Sequence, residues 1–141
     1  MSAATPRVTG NVLVVEDDAD MRALLASLLP LEGFHTVTAE DGLEGLHVLR
    51  TLRHQAPALP CLVLLDLKMP RLSGQEFRRA QLQDPTVAGV PVAVISSATD
   101  AETRARALGA VATVAKPIDV ESLLEIVRRY CASNAYRPPT A

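Results

Sequence analysis

The sequence predicts an α/β fold, a single doubly wound sandwich of three layers in which a parallel five-stranded sheet carries helices on both faces. Three observations carry that expectation. Five short strand-like runs recur at 12–15, 34–39, 61–65, 92–95 and 111–115, the second of them alternating through Thr36, Val37 and Thr38 and the others apolar. Segments with apolar residues at helical spacing, opened by capping residues, lie between them. No internal linker breaks the alternation, and 141 residues match one domain of about 100–150 residues with a core of its own.

The first run, Val12-Leu13-Val14-Val15, is apolar on both faces and meets Glu16-Asp17-Asp18, so it reads as a buried parallel strand ending in carboxylates. Met21, Leu24, Leu25, Leu28 and Leu29 form the stripe of a first helix. Pro30 cannot donate to the carbonyl of Ala26, so that helix ends or bends near 29–31, with Gly33 as a stop beyond. Thr36, Val37 and Thr38 alternate as in a half-exposed edge strand. After the turn at Glu40-Asp41-Gly42, a second helix places Leu43, Leu46, Leu49 and Arg50 inward and stops before Pro57. Pro57 to Pro60 connects to Cys61-Leu62-Val63-Leu64-Leu65, whose uniform apolarity predicts the central strand. It ends at Asp66. A loop with Pro70 and Gly74 leads to a helix over 75–83 with Phe77 facing inward. Pro91 opens the fourth strand, which ends at Ser96-Ser97. Thr99 or Asp100 then caps a short helix closed by Gly109, and a fifth strand ends at Lys116-Pro117. Asp119 caps a last helix whose inner stripe is Val120, Leu123, Leu124, Val127 and Cys131.

Composition narrows the function. Apolar residues at 48% and charged residues at 21% exclude a wholly disordered chain. With no Trp, two Phe and two Tyr, the core is aliphatic, and no array of rings is available to stack single-stranded bases. Fourteen Lys and Arg against sixteen Asp and Glu leave a net charge of −2, so neither direct nucleic-acid binding nor an anionic membrane is expected. The first residues carry no apolar signal segment, and no stretch reaches the ~18 apolar residues of a membrane span. A reducing cytoplasm is the expected compartment. Cys61 and Cys131, seventy positions apart without CxxC spacing, are expected as buried thiols rather than a disulfide or a metal site.

Parallel strands bring Glu16-Asp17, Asp66, Ser96 and Lys116 to one rim, where α/β sheets bind ligands. Taken singly, each acidic residue reads as a helix cap or turn former. Together, carboxylates in one cleft repel and raise each other's pKa unless a cation neutralises them, and an all-oxygen set suits Mg²⁺ better than zinc. Such a site can serve phosphoryl chemistry. Asp66, ionised at neutral pH, can attack phosphorus to form an acyl phosphate, while Ser96 donates a hydrogen bond and Lys116 offsets charge on the phosphoryl oxygens.

Over residues 11–131 the chain resembles the receiver domain of two-component response regulators. The motifs are Val-Val-Glu-Asp-Asp, Leu-Leu-Asp-Leu-Lys-Met-Pro with Gly74 downstream, Ile-Ser-Ser-Ala and Ala-Lys-Pro, in family order and spacing. The resemblance implies a flavodoxin-like sheet of order 2-1-3-4-5. It also implies a response regulator that accepts a phosphoryl group on Asp66 from phosphohistidine on a sensor histidine kinase or a histidine phosphotransfer protein, with Mg²⁺. By the same resemblance Glu16 and Asp17 are the acidic pair, Ser96 the switch hydroxyl and Lys116 the phosphate-sensing lysine. Lys68 lends its backbone carbonyl to the metal. Asp18, one position past the pair, reads as a helix cap. The family often carries an aromatic residue three before the lysine and Phe after Lys-Pro, whereas this chain has Thr113 and Ile118. His35, His47 and His54 read as ordinary surface residues, since the phosphohistidine belongs to the partner.

The expected organisation is a flexible segment over 1–10, a receiver domain over 11–132 and a short tail over 133–141 with no output domain. The signal would then leave through protein contacts at residues 100–131, where Arg104 and Arg106 face Glu121, Glu125, Arg128 and Arg129, charges that a downstream target or a second copy can pair. The chain is expected to be a phosphoacceptor rather than an enzyme in its own right. Two rivals use the same residues. A phosphatase of the haloacid-dehalogenase type needs a second Asp two after the nucleophile, where Lys68 stands. A degenerate receiver that only docks proteins would not need the charged set, which is present throughout.

Overall fold

The computed structural model describes residues 11–53, 60–69, 71–97 and 99–131. The readings made for 1–10, His54, Pro57, Pro70, Ala98 and 133–141 lie outside them. Strands β1 (Asn11–Val15), β2 (His35–Ala39), β3 (Leu62–Asp66), β4 (Val92–Ser96) and β5 (Ala112–Ala115) alternate with helices α1 (Ala19–Leu31), α2 (Gly42–Leu52), α3 (Gly74–Gln83), α4 (Ala101–Ala107) and α5 (Val120–Tyr130). All pairings are parallel, in the order β2-β1-β3-β4-β5. The half-polar β2 takes an edge and the apolar β3 the centre, as their compositions require.

The pleat divides the core in two. Val12, Val14, Leu62 and Leu64 face the side covered by α1 and α5, where Leu25, Leu29, Phe34, Leu123, Leu124 and Val127 pack. Leu13, Val15, Val63 and Leu65 face the other side, against Leu46, Leu49 and Phe77 of α2 and α3. One Phe therefore anchors each face, and aliphatic side chains fill the rest. Each fully buried one contributes about 1.5–3 kcal/mol.

Helix ends follow local chemistry. The Asp18 carboxylate accepts from the amides of Asp20 and Met21 at the start of α1. Ser73 and Glu76 form a reciprocal capping box on α3. Pro30 sits in the last turn of α1, which closes at Gly33 with φ 92°. Asp100 and Asp119 occupy cap positions without bonding the helix amides; their carboxylates accept instead from Arg104 and from the Ser122 hydroxyl.

Some expectations change, and Leu24 of the first-helix stripe is exposed. Leu43 and Arg50 do not face the core: Leu43 is exposed, Arg50 reaches Asp84 at 3.4 Å, and Gly45 and Leu52 take the inner side of α2. On α3, Arg78 and Gln81 are buried beside Phe77. The Arg78 guanidinium donates to the carbonyls of Leu108 and Gly109 past the end of α4 and to Gln81, whose amide donates to Val87 and Val90. A positive charge at a helix C-terminus is favourable, and every buried donor there finds an acceptor. Cys61 and Cys131 are not separate thiols but a disulfide, with 5.4 Å between their Cα atoms. Sequence separation carries no information about this pair, because α5 runs back across the sheet and ends beside the start of β3. On the α4–α5 side, Arg104 pairs with Asp100, Arg129 with Glu125, and Arg128 with Glu32 beyond α1. Among the described residues no helix is long and apolar enough to cross a membrane.

Candidate functional site

Strand register builds the site. Val15 pairs with Leu65, Asp66 with Ile95 and Ser96 with Ala115, so Glu16, Asp66, Ser96 and Lys116 emerge side by side at the carboxyl rim. Glu16 is fully buried, and Asp66 and Ser96 are buried, while Asp17 is exposed and Lys116 half-buried. Carboxylate oxygens of Glu16, Asp17 and Asp66 lie within 4.8 Å of one another. Lys116 reaches both buried carboxylates, its ammonium 3.0 Å from Glu16 Oε1 and 3.6 Å from Asp66 Oδ2. The Lys116–Pro117 peptide is cis. The exposed Lys68 donates its backbone amide to Asp66 Oδ1 at 3.3 Å.

The acidic loop has a further support that composition does not reveal. Arg22, on the first turns of α1, donates to the backbone carbonyls of Glu16 at 2.8 Å and Asp17 at 3.4 Å. Because those acceptors are main-chain atoms, no residue pattern marks the contact. Glu16 is held again by its own amide, which donates to Ala39 at the end of β2.

Electrostatically the site carries more negative charge than it can hold alone. Burial pushes the Asp66 carboxyl up to about 7, Glu16 and Asp17 push it the same way, and Lys116 opposes them. Burial also pulls on Lys116, but the two carboxylates outweigh it and hold its ammonium above the usual lysine range. Glu16 Oε1 is buried with the Lys116 ammonium 3.0 Å away but makes no aligned hydrogen bond. Three convergent carboxylates, with the Lys116 ammonium offsetting only part of their charge, offer the oxygen ligands a hard divalent cation takes, so these residues fit Mg²⁺.

The raised Asp66 pKa has a sign that can be measured. Between about pH 4 and pH 7 the folded chain keeps a proton that an unfolded Asp has released, so metal-free stability falls as pH rises through that window. Mg²⁺ requires ionised carboxylates and should therefore stabilise more at about pH 8 than at about pH 5. Thermal melts with chelator and with Mg²⁺ at both pH values test this, with Asp66→Asn expected to flatten the metal-free slope. A slope unchanged in that variant would contradict the assignment of the proton to Asp66.

Chemically, a buried carboxylate flanked by a hydroxyl and an ammonium beside a cation site can receive a phosphoryl group. The profile of the response regulator receiver domain matches residues 12–128. The chain is 43% identical over 114 residues to a protein-glutamate methylesterase/protein-glutamine glutaminase of Symbiobacterium thermophilum, covering 76% of this chain and 29% of that protein. It is 30% identical over 122 residues to the polar-differentiation response regulator DivK of Brucella anthropi, covering 85% of this chain and 94% of DivK. Among solved structures, the response regulator TrrA of Thermotoga maritima in complex with Mg(2+)-BeF superposes with a TM-score of 0.73 at 26% identity, covering 86% of this chain and 98% of that one. The chain thus spans less than a third of the methylesterase and nearly all of DivK.

Proposed function

Because the chain belongs to the response regulator receiver domain family and acts in two-component signalling, we propose that Asp66 is its phosphoacceptor. The phosphoryl group comes from phosphohistidine of a sensor histidine kinase or a histidine phosphotransfer protein. The P–N bond breaks, a bond forms between phosphorus and a carboxylate oxygen of Asp66, and the donor imidazole keeps the electron pair. The observation that carries this reading is the position of Asp66, with carboxylate neighbours on one side and the Lys116 ammonium 3.6 Å away on the other.

Glu16, Asp17, Asp66 and the Lys68 carbonyl would hold Mg²⁺, which supplies charge screening for attack by one anion on another. Lys116 and the Ser96 hydroxyl follow the transferred group, whose charge of about −1.5 to −2 exceeds that of the carboxylate it replaces. Drawing Ser96 inward pulls on the start of α4. Ser96, Thr99, Ala101, Thr103 and Thr113 line a cavity of about 320 Å³ there. Thr113 is too small to fill it, so α4 moves against α5 and residues 100–131 present the signal to a downstream protein or a second copy. A donor charged from ATP fits a cytoplasmic location, a reducing compartment in which the Cys61–Cys131 disulfide would be open to reduction.

Hydrogen exchange with and without acetyl phosphate and Mg²⁺ tests the output. Altered exchange in residues 100–131 is expected. Changes confined to the loops around Asp66 and Ser96 would remove this surface as the output.

A further inference from the structure

Between the acidic corner and the segment that follows Asp66 lies an ion pair with no counterpart in the chemistry described so far. Asp41 is buried, caps α2 by accepting from the Glu44 amide at 2.9 Å, and accepts from Arg71 Nε at 2.7 Å and from Arg71 Nη2 as well. Arg71 adopts φ 66°, a left-handed conformation that strains a non-glycine residue and persists only where other contacts hold it. One position on, the Leu72 carbonyl accepts from the Gly42 amide at 3.1 Å. A Cβ on Gly42 would stand 2.3 Å from that same carbonyl oxygen, so the two backbones meet closely only because Gly42 has no side chain. An exposed ion pair is worth little on its own. Here the fork of the guanidinium meets a buried carboxylate, and the contact is paid for in backbone strain.

The consequence lies in what each end is attached to. Asp41 follows β2, whose Ala39 carbonyl takes the Glu16 amide at 3.0 Å. Arg71 follows β3 by way of Leu67 and Lys68, whose amide bonds Asp66. We propose that the Arg71–Asp41 pair is a positioning latch: it sets the loop after Asp66 against the corner that holds Glu16, and so sets the spacing of the oxygens that bind the cation. Arg71 and Asp41 touch neither the cation nor the phosphoryl group. This inference rests on the phosphoacceptor reading, and its test separates the two.

Mg²⁺ binding to the full unphosphorylated chain is measured by calorimetry, and the Mg²⁺ dependence of acetyl phosphate labelling by intact mass, for wild type, Arg71→Ala, Arg71→Lys and Asp41→Asn. Asp41→Asn keeps an oxygen for the Glu44 amide and removes the charge, so it separates the latch from the cap. Second-sphere partners of metal ligands typically change affinity by about 10–100-fold. Arg71→Ala and Asp41→Asn are expected to weaken Mg²⁺ by about tenfold, with half-saturation in the labelling assay moving equally and the rate at saturating Mg²⁺ changing far less. Arg71→Lys, which keeps charge without the fork, should recover part of the loss, and the double variant should add little to either single one. Where Arg71→Ala does not fold, Arg71→Gly removes the guanidinium and accepts the positive φ without strain. A wild type that neither binds Mg²⁺ nor becomes labelled overturns the phosphoacceptor reading. A wild type that does both, beside folded variants with unchanged Mg²⁺ affinity, overturns the latch.

Discussion

Stripping Mg²⁺ with a chelator will stop acetyl phosphate from phosphorylating the chain, and Asp17→Asn will slow labelling by about 10²-fold or more at fixed Mg²⁺. The effect is large because the site resists the reaction without a cation. Asp66 has Glu16 and Asp17 within 4.8 Å, and its carboxyl is pushed up to about 7, so near neutral pH without metal a large share of it is protonated and a poor nucleophile. Among the described residues, Lys116 is the one cation paired with both Glu16 and Asp66. A divalent cation both ionises Asp66 and offsets the charge of the incoming donor. Asp17 is the informative position to change, since it is exposed and its loss leaves the core intact. Labelling at an undiminished rate in excess chelator would show that Lys116 suffices.

Gly74→Ala will cost stability at the upper end of the about 1–3 kcal/mol typical of overpacking, lowering the melting temperature by roughly 10 °C. A Cβ there would stand 2.5 Å from the Asp66 carbonyl oxygen and 2.8 Å from Leu67 Cα. Both obstacles are backbone, so neither can rotate away as a side chain would. Relief must come from moving the first turn of α3 or the end of β3, and the second displaces Asp66. Melting and labelling should therefore fall together, whereas a variant of wild-type stability would mean that the loop yields freely.

The fold was legible because hydrophobic pattern and strand register are nearly the same information in a parallel sheet. Runs that are apolar on both faces had to be interior strands, and the half-polar Thr36-Val37-Thr38 run had to lie at an edge. The rim followed, since Glu16, Asp66, Ser96 and Lys116 each stand at a strand end. Contacts to main-chain atoms or across long separations were not legible. Nothing in the pattern marks Arg78 as buried, because its acceptors are the carbonyls of Leu108 and Gly109, which any residue type supplies. Arg22 hides in the same way behind the carbonyl of Glu16. On the second helix Leu46 and Leu49 face inward as their spacing predicts, but Leu43 is exposed, and the small Gly45 against Val15 and Phe77 is what lets α2 approach the sheet. The Cys61–Cys131 bond needed the return of α5, which periodicity alone does not orient.

The central claim is that one carboxylate, Asp66, takes the phosphoryl group. Its most direct test is to phosphorylate the chain with acetyl phosphate and Mg²⁺, reduce the acyl phosphate with borohydride, and locate the modified residue by peptide mass spectrometry, with Asp66→Asn alongside. A single phosphoryl group per chain, modification at Asp66 alone, and none in the Asn variant are expected. Modification at Glu16 or Asp17, or labelling that persists in Asp66→Asn, would contradict it.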